Sequence, residues 1–125
     1  MAEEFNVVVT ERVRGFDHTG EFVYVDNVLG NETVLFDEVT AEEVGHYVIP
    51  NLYEFSGVGS ATFGGKEKGY GGPRNIEYIG DGTFTHTVMN YDFLEGREFE
   101  SEFRMEILGL GDLDFSDFVD FKVAK

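Results

Sequence analysis

The feature that most constrains this chain is an alternating run between Glu98 and Ile107. In the ten residues EFESEFRMEI, every even-numbered position is charged, whereas the odd-numbered positions are apolar or small. A period of two is typical of a β-strand with one buried and one solvated face. The run therefore predicts such a strand, and its inner face is predicted to carry Phe99, Ser101, Phe103, Met105 and Ile107.

Residues 83–93 are predicted to form the partner strand of a β-hairpin, with residues 94–97 as its loop. Four-residue hairpin geometry then sets Phe93 opposite Glu98 and determines every later pair. The predicted pairs on the inner face are Phe84 with Ile107, His86 with Met105, Val88 with Phe103, and Asn90 with Ser101. The same register pairs Thr87 with Arg104 on the outer face.

The 125 residues are predicted to form one domain, residues 1–125. The net charge is −16, from 25 acidic residues against 9 Lys and Arg residues. Such a charge repels phosphate backbones and anionic bilayers, so neither nucleic acid nor a membrane is a predicted partner. The acidity has two interpretations, which are a solvated surface that keeps the protein in solution and an adaptation to high salt.

Several chemistries are excluded or disfavoured by residue type. The chain has no cysteine, which excludes disulfides and thiolate chemistry. The histidines His18, His46 and His86 have neither HxH nor HxxxH spacing, so no metal site is predicted. No glycine-rich segment leads into a helix with nucleotide-binding spacing, so no cofactor is predicted. The acidic first residues and the lack of a long apolar run favour a cytoplasmic location.

One helix-start signal is present, a capping box formed by Thr40 and Glu43. It predicts a short helix over residues 41 to about 48, because Gly45 and Pro50 limit the length; a strand that begins at His46 is the alternative. The remaining chain has strand patterns in residues 5–13, 21–29, 33–39, 52–63, 75–79, 83–93, 98–108 and 115–124.

About eight strands, several of them long and joined by short turns, predict an all-β, mainly antiparallel fold that closes into a single β-barrel with at most one short helix. In architecture alone this resembles lipocalin-type, streptavidin-type and cyclase-type barrels. The resemblance implies an interior that holds side chains or one small ligand.

Two connections bear on that interior. The glycine-rich residues 64–73 are predicted to form a loop, and as a lid over a cavity this loop would use Tyr70 to dock. The turn at residues 80–82 has two interpretations. A two-residue turn places Glu77 opposite His86, and a three-residue loop places Ile76 there.

The candidates for chemistry are polar side chains predicted to point into the interior. Glu11 and His86 are the predicted catalytic residues, because a carboxylate or an imidazole can move a proton inside an apolar cavity. The structural alternative is that the interior polar residues are hydrogen-bonded groups of the core. The predicted ligand-binding residues are Phe84, Asn90, Ser101, Phe103, Met105, Tyr24 and Tyr70.

These features favour a barrel that binds a small apolar or aromatic ligand, either as a binder or as an isomerase or cyclase that holds a flexible hydrophobic substrate. The alternative function is a non-catalytic acidic module that contacts a protein partner, and a second copy of the chain in a homodimer is a further candidate partner. A cavity would favour the first function, whereas a filled core with a flat apolar outer patch would favour the second.

Overall fold

The computed structural model describes residues 2–16, 22–56, 76–92 and 97–123. Its strands form one six-stranded mixed sheet in the order β2-β1-β5-β4-β3-β6, in which the β3–β6 pair is parallel. The protein is therefore mainly β with one helix, which agrees with the predicted all-β class. The elements are β1 (Glu3–Phe16), β2 (Phe22–Phe36), α1 (Ala41–Ser56), β3 (Ile76–Gly80), β4 (Thr83–Asp92), β5 (Arg97–Leu108) and β6 (Phe121–Val123).

The barrel of about eight strands is not confirmed, because the sheet formed by the described residues is open, with β2 and β6 at its ends. Two predicted strands, residues 21–29 and 33–39, correspond to one continuous strand, β2, which ends at Phe36. A bulge at Leu29 interrupts its pairing with β1, since Val9 pairs with Gly30 and Thr10 with Val28. Residues 52–56 of another predicted strand are helical. The helix covers the face of the sheet that would form the interior of a closed barrel.

The predicted register of the β4–β5 hairpin is wrong by two residues. Asp92 pairs with Arg97, so the connecting residues are 93–96 rather than 94–97. Because the error is even, every side chain keeps its predicted face. Thr87 consequently pairs with Glu102 and not with Arg104. The inner-face pairs are Phe84 with Met105, His86 with Phe103, and Val88 with Ser101, and along the backbone Asn90 pairs with Phe99.

The β3–β4 turn combines the two predicted alternatives. Asp81 and Gly82 both have positive φ, 52° and 70°, as a two-residue turn of type I′ requires. An irregularity between Tyr78 and Gly80 then shifts the pairing by one residue, so Glu77 pairs with Thr85. Gly82 is also held closely by β5, because its carbonyl accepts a hydrogen bond of 2.9 Å from the N–H of Ile107.

The helix begins where it was predicted but extends eight residues beyond the predicted end, to Ser56. Thr40 caps it by accepting a 3.2 Å hydrogen bond from the N–H of Glu43, whose carboxylate accepts hydrogen bonds from the N–H groups of Asp37 and Glu38. The alternative strand from His46 is wrong. No described helix is long and apolar enough to cross a bilayer. The buried helix residues are Val44, Gly45, Val48, Ile49, Leu52 and Tyr53.

The helix covers one face of the sheet, here called the inner face; the opposite face is the outer face. The predicted final strand over residues 115–124 is strand only from Phe121 to Val123, and the turns before it let three nearby rings bury together. The resulting aromatic cluster lies beneath the start of the helix, with neighbouring ring centroids 4.7–6.5 Å apart. Its members are Tyr78, Phe84, Phe115, Phe118 and Phe121.

Candidate functional site

Most of the predicted site residues lie in the packed core. Each of the five with a described side chain on β4 or β5 is at most 7% exposed and faces α1 or its surroundings. None of these five residues lines the surface concavities that the described residues form. Tyr24 and Asn90 are described through their backbone only, and Tyr70 and the predicted lid lie outside the described residues. The five core residues are Phe84, His86, Ser101, Phe103 and Met105.

The predicted catalytic pair is not in contact. Glu11 pairs with Phe103 on one side of β5, and His86 pairs with Phe103 on the other. The two residues therefore share a row of the inner face but are separated by two strand spacings, about 10 Å. Glu11 is half-buried and borders a groove that opens on the outer face. That Glu11 or His86 moves a proton in catalysis stays a prediction.

His86 belongs instead to a buried polar cluster that the sequence reasoning missed. The ring of Tyr53 meets the ring of His86 edge-on, with centroids 5.2 Å apart. The Tyr53 hydroxyl donates a 2.7 Å hydrogen bond to Oδ2 of Asp120, a carboxylate with no exposed surface. The Tyr53–Asp120 pair is thus a hydrogen-bonded group of the core, against which the ring of His86 packs. The residues at positions 48, 49, 52 and 53 are apolar or aromatic and have helical spacing. This spacing could have predicted a helix that buries Tyr53.

A cleft of about 360 Å³ opens on the inner face between the second half of α1 and strands β1 and β2. Its floor is apolar, because Val7 and Val9 are buried there and the rings of Tyr47 and Phe55 border it. Its rim is polar and comes from both the strand and the helix. We call this space the α1 cleft; the rim residues are Asn31, Glu32, Asn51 and Glu54, and Gly30 completes the lining.

The β2 bulge and a glycine shape the α1 cleft. Gly30 follows the bulge, and a Cβ built on it would contact Cζ of Phe55 at 3.5 Å, so a larger side chain at this position would extend into the cleft. On the helix, Asn51 donates a 2.7 Å hydrogen bond to the carbonyl of Tyr47. The Tyr47 ring packs edge-on against Phe36 at 5.6 Å. Strand and helix residues thus have defined positions around the cleft.

The hydroxyl of Tyr47, which borders the α1 cleft, has a raised pKa. Burial, with a smaller contribution from the nearby Glu32 carboxylate, raises the pKa of Tyr47 to about 12. Its hydroxyl therefore stays protonated at neutral pH and is available as a hydrogen-bond donor and acceptor. A neutral hydroxyl beside an apolar floor can orient a ligand.

A second concavity, here called the outer groove, has a volume of about 440 Å³ on the outer face. Ion pairs cross it or flank it: Arg12 with Asp26 at 3.0 Å, Arg104 with Glu102 at 3.8 Å, and Arg14 with Glu100. These side chains are between about a third and two thirds exposed, and such pairs contribute about 0–1 kcal/mol each. Although the outer groove is larger, its lining is mainly polar and charged, which suits a small apolar ligand less well than the α1 cleft does.

Within the described ranges, no group of three or more His, Asp or Glu side chains is arranged to hold a metal ion. Comparison with protein-family models, with curated proteins and with solved structures found no match. The geometry of the two concavities is therefore the basis for assigning a function.

Proposed function

We propose that this protein binds a small, largely apolar molecule in the α1 cleft. The observation that carries the proposal is the combination of a volume of about 360 Å³ with an apolar floor and a few polar groups at the rim. Sites for small molecules are typically concave, mostly apolar and about 300–1,000 Å³ in volume, with a small number of polar groups that orient the ligand. The proposal needs no closed barrel, because the helix and two strands enclose the space.

The proposal is for binding, and it locates the ligand away from the predicted catalytic pair. Neither Glu11 nor His86 lines the α1 cleft. An isomerase or cyclase reaction there would need a proton donor or acceptor beside the ligand, and the titratable groups that border the cleft are Glu32, Tyr47 and Glu54. Catalysis would therefore depend on these three residues.

The direct test uses Nile red, a neutral apolar dye whose fluorescence rises in apolar surroundings. The chain has no Trp, so intrinsic emission interferes little. We expect saturable binding to the wild type and a loss of at least tenfold in affinity in Gly30→Leu, because the new side chain occupies the cleft. Thr33→Leu adds the same side chain on the outer face of β2 and should bind like the wild type. Equal binding by all three proteins would contradict the proposal.

The alternative of a non-catalytic interaction module is favoured by a different observation. No described element covers the outer face, which carries the outer groove together with exposed apolar side chains, among them Val28 and Met89 at 71% and 60% exposure. In its homodimer form, this module would associate through that face. Sedimentation equilibrium distinguishes the two functions: Val28→Asp would shift a dimer to monomer, whereas it would leave binding in the α1 cleft unchanged.

A further inference from the structure

The charged side chains that the described residues bring to the α1 cleft are of one sign. Two carboxylates, Glu32 on β2 and Glu54 on α1, belong to its lining, and no Lys or Arg of the described chain does. The two acids come from different elements, so they approach the cleft from the sheet and from the helix. An anionic ligand would be repelled here, whereas a cation would gain from both carboxylates.

The helix adds to this field. The cleft lies beside the last turns of α1, and the C-terminal end of a helix carries a partial negative charge of about half an elementary charge. A helix commonly compensates this end with Lys, Arg or His, but α1 has no basic residue in its last turn. The backbone and the side chains therefore favour a positive group at the same place.

The apolar lining supplies the third element. Tyr47 and Phe55 present aromatic rings to the cleft, and Phe55 is 38% exposed. Aromatic rings attract cations through their negative faces, and they do so most effectively for alkylated ammonium groups, which lose little hydration on burial. Two carboxylates line the cleft, and among the described residues no group of three or more His, Asp or Glu side chains is placed to hold a metal ion.

We infer that the ligand of the α1 cleft is an organic cation, an ammonium group attached to an apolar body, with the charge between Glu32 and Glu54 and the apolar part on the floor of Val7 and Val9. This inference rests on the proposed function, since it specifies the chemical class of the molecule bound at that site. It is carried by the cleft, its two acids, its two rings and the end of the helix together.

The test compares two probes of nearly the same shape, the cation phenyltrimethylammonium and the neutral tert-butylbenzene. Binding is measured by ligand-observed nuclear magnetic resonance at low ionic strength. We expect the cation to bind at least tenfold more tightly than the neutral probe. The double variant Glu32→Gln/Glu54→Gln should reduce this preference to about threefold or less.

Because a chain of net charge −16 attracts any cation, the control must remove the same charge elsewhere. Glu4→Gln/Glu106→Gln does so on the outer face, and it should keep at least most of the tenfold preference. An equal loss in both double variants would overturn the inference, since attraction would then come from the general field.

The possible failures are distinguishable. If both probes bind with equal affinity and Gly30→Leu abolishes binding of both, the cleft binds apolar molecules without regard to charge; the inference fails and the proposed function stands. If neither probe binds in a way that Gly30→Leu changes, both are overturned.

Discussion

The two ends of the inner face are filled differently. At the end formed by β3, β4 and β6, the aromatic cluster occupies the space beneath α1, and the ring of Phe118 lies directly on Gly45. At the end formed by β1 and β2, the same helix leaves the α1 cleft, where the ring of Phe55 lies next to Gly30. One helix therefore has a stabilising end and an end open to a ligand. Substitutions of the same type at the two ends should have unequal effects.

The largest difference is expected for truncation of an aromatic ring. Phe115 is fully buried among Tyr78, Phe84, Phe118 and Phe121, so Phe115→Ala should lower the free energy of unfolding by about 3–5 kcal/mol. Phe55→Ala should cost about 1 kcal/mol or less, because the Phe55 side chain is 38% exposed and loses less burial when it is truncated. Urea denaturation followed by circular dichroism measures both. Similar costs would show that the cleft end is as tightly packed as the other.

Removal of a hydroxyl should give the next largest difference. Tyr53→Phe removes a hydrogen bond from the buried carboxylate of Asp120, which should cost about 1–3 kcal/mol in the free energy of unfolding. Tyr47→Phe removes a hydroxyl at the cleft, where solvent can replace it, and should change stability by about 0.5 kcal/mol or less. The same denaturation experiment applies. A larger cost at Tyr47 would reverse the proposed division.

The two glycines offer a matched pair. A Cβ at Gly45 would overlap the ring of Phe118, so Gly45→Ala should cost about 1–2 kcal/mol even after the gain of about 1 kcal/mol that alanine brings to a helix interior. Gly30→Ala meets Phe55 at an ordinary contact distance and should be nearly neutral. Thermal unfolding measures both.

A double variant sharpens the Gly45 prediction. Phe118→Leu alone should be destabilising, but combined with Gly45→Ala it should cost less than the sum of the two single changes, because the overlap is relieved. Strict additivity would show that the ring and the helix backbone do not constrain each other.

The two ends also differ in the pH range over which stability should change. The folded state holds the Tyr47 proton more tightly than the unfolded chain does, because the pKa of Tyr47 is raised to about 12. Its contribution to stability is therefore fully present below about pH 10 and is lost as the pH rises through about 12. Tyrosinate absorbance of the wild type minus that of Tyr47→Phe gives the pKa directly. A midpoint near pH 10 in this difference absorbance would contradict the prediction.

At the end of the inner face that holds the aromatic cluster, stability should fall at acid pH. Hydrogen bonds from the backbone N–H of Asp81 and from the Tyr78 hydroxyl hold the pKa of Asp112 below its ordinary value. Its contribution to stability is present above the unfolded pKa, about 3.9, and is lost as the pH falls through the lower folded value. Asp112→Asn should flatten this part of the stability profile. If stability falls at low pH in that variant as it does in the wild type, Asp112 is not the cause of the fall.

The alternation of β5 was enough to predict which side chains face inward, because one residue of slip would expose every apolar side chain of the strand. The register was not predictable to the same degree. The segment Phe93 to Arg97 accommodates a four-residue loop at either of two positions, and both preserve the faces. The local pattern therefore predicts which face each side chain occupies. It does not predict the strand pairing, because the position of the turn is ambiguous in the sequence.

The helix shows where local signals are overridden. Gly45 and Pro50 each weaken a helix, yet it continues to Ser56 because Ile49, Leu52 and Tyr53 bury fully against the sheet. Gly45 itself makes room for a ring 73 positions away in the sequence, Phe118. The candidate site depends on the same kind of contact, since a β2 bulge places Gly30 opposite Phe55. Neither contact has a local sequence signature.

The pairing of β1 with β5 also has a consequence for how the chain is made. It joins Asn6 to Leu108, whereas β1–β2 and β4–β5 are hairpins of neighbouring segments. During synthesis the first hairpin emerges long before β5, and until then β1 presents an unpaired edge that another nascent chain can add to. Such a long-range pairing closes slowly in β-rich topologies. High acidity, by keeping such chains apart, protects this interval of assembly as well as the finished protein.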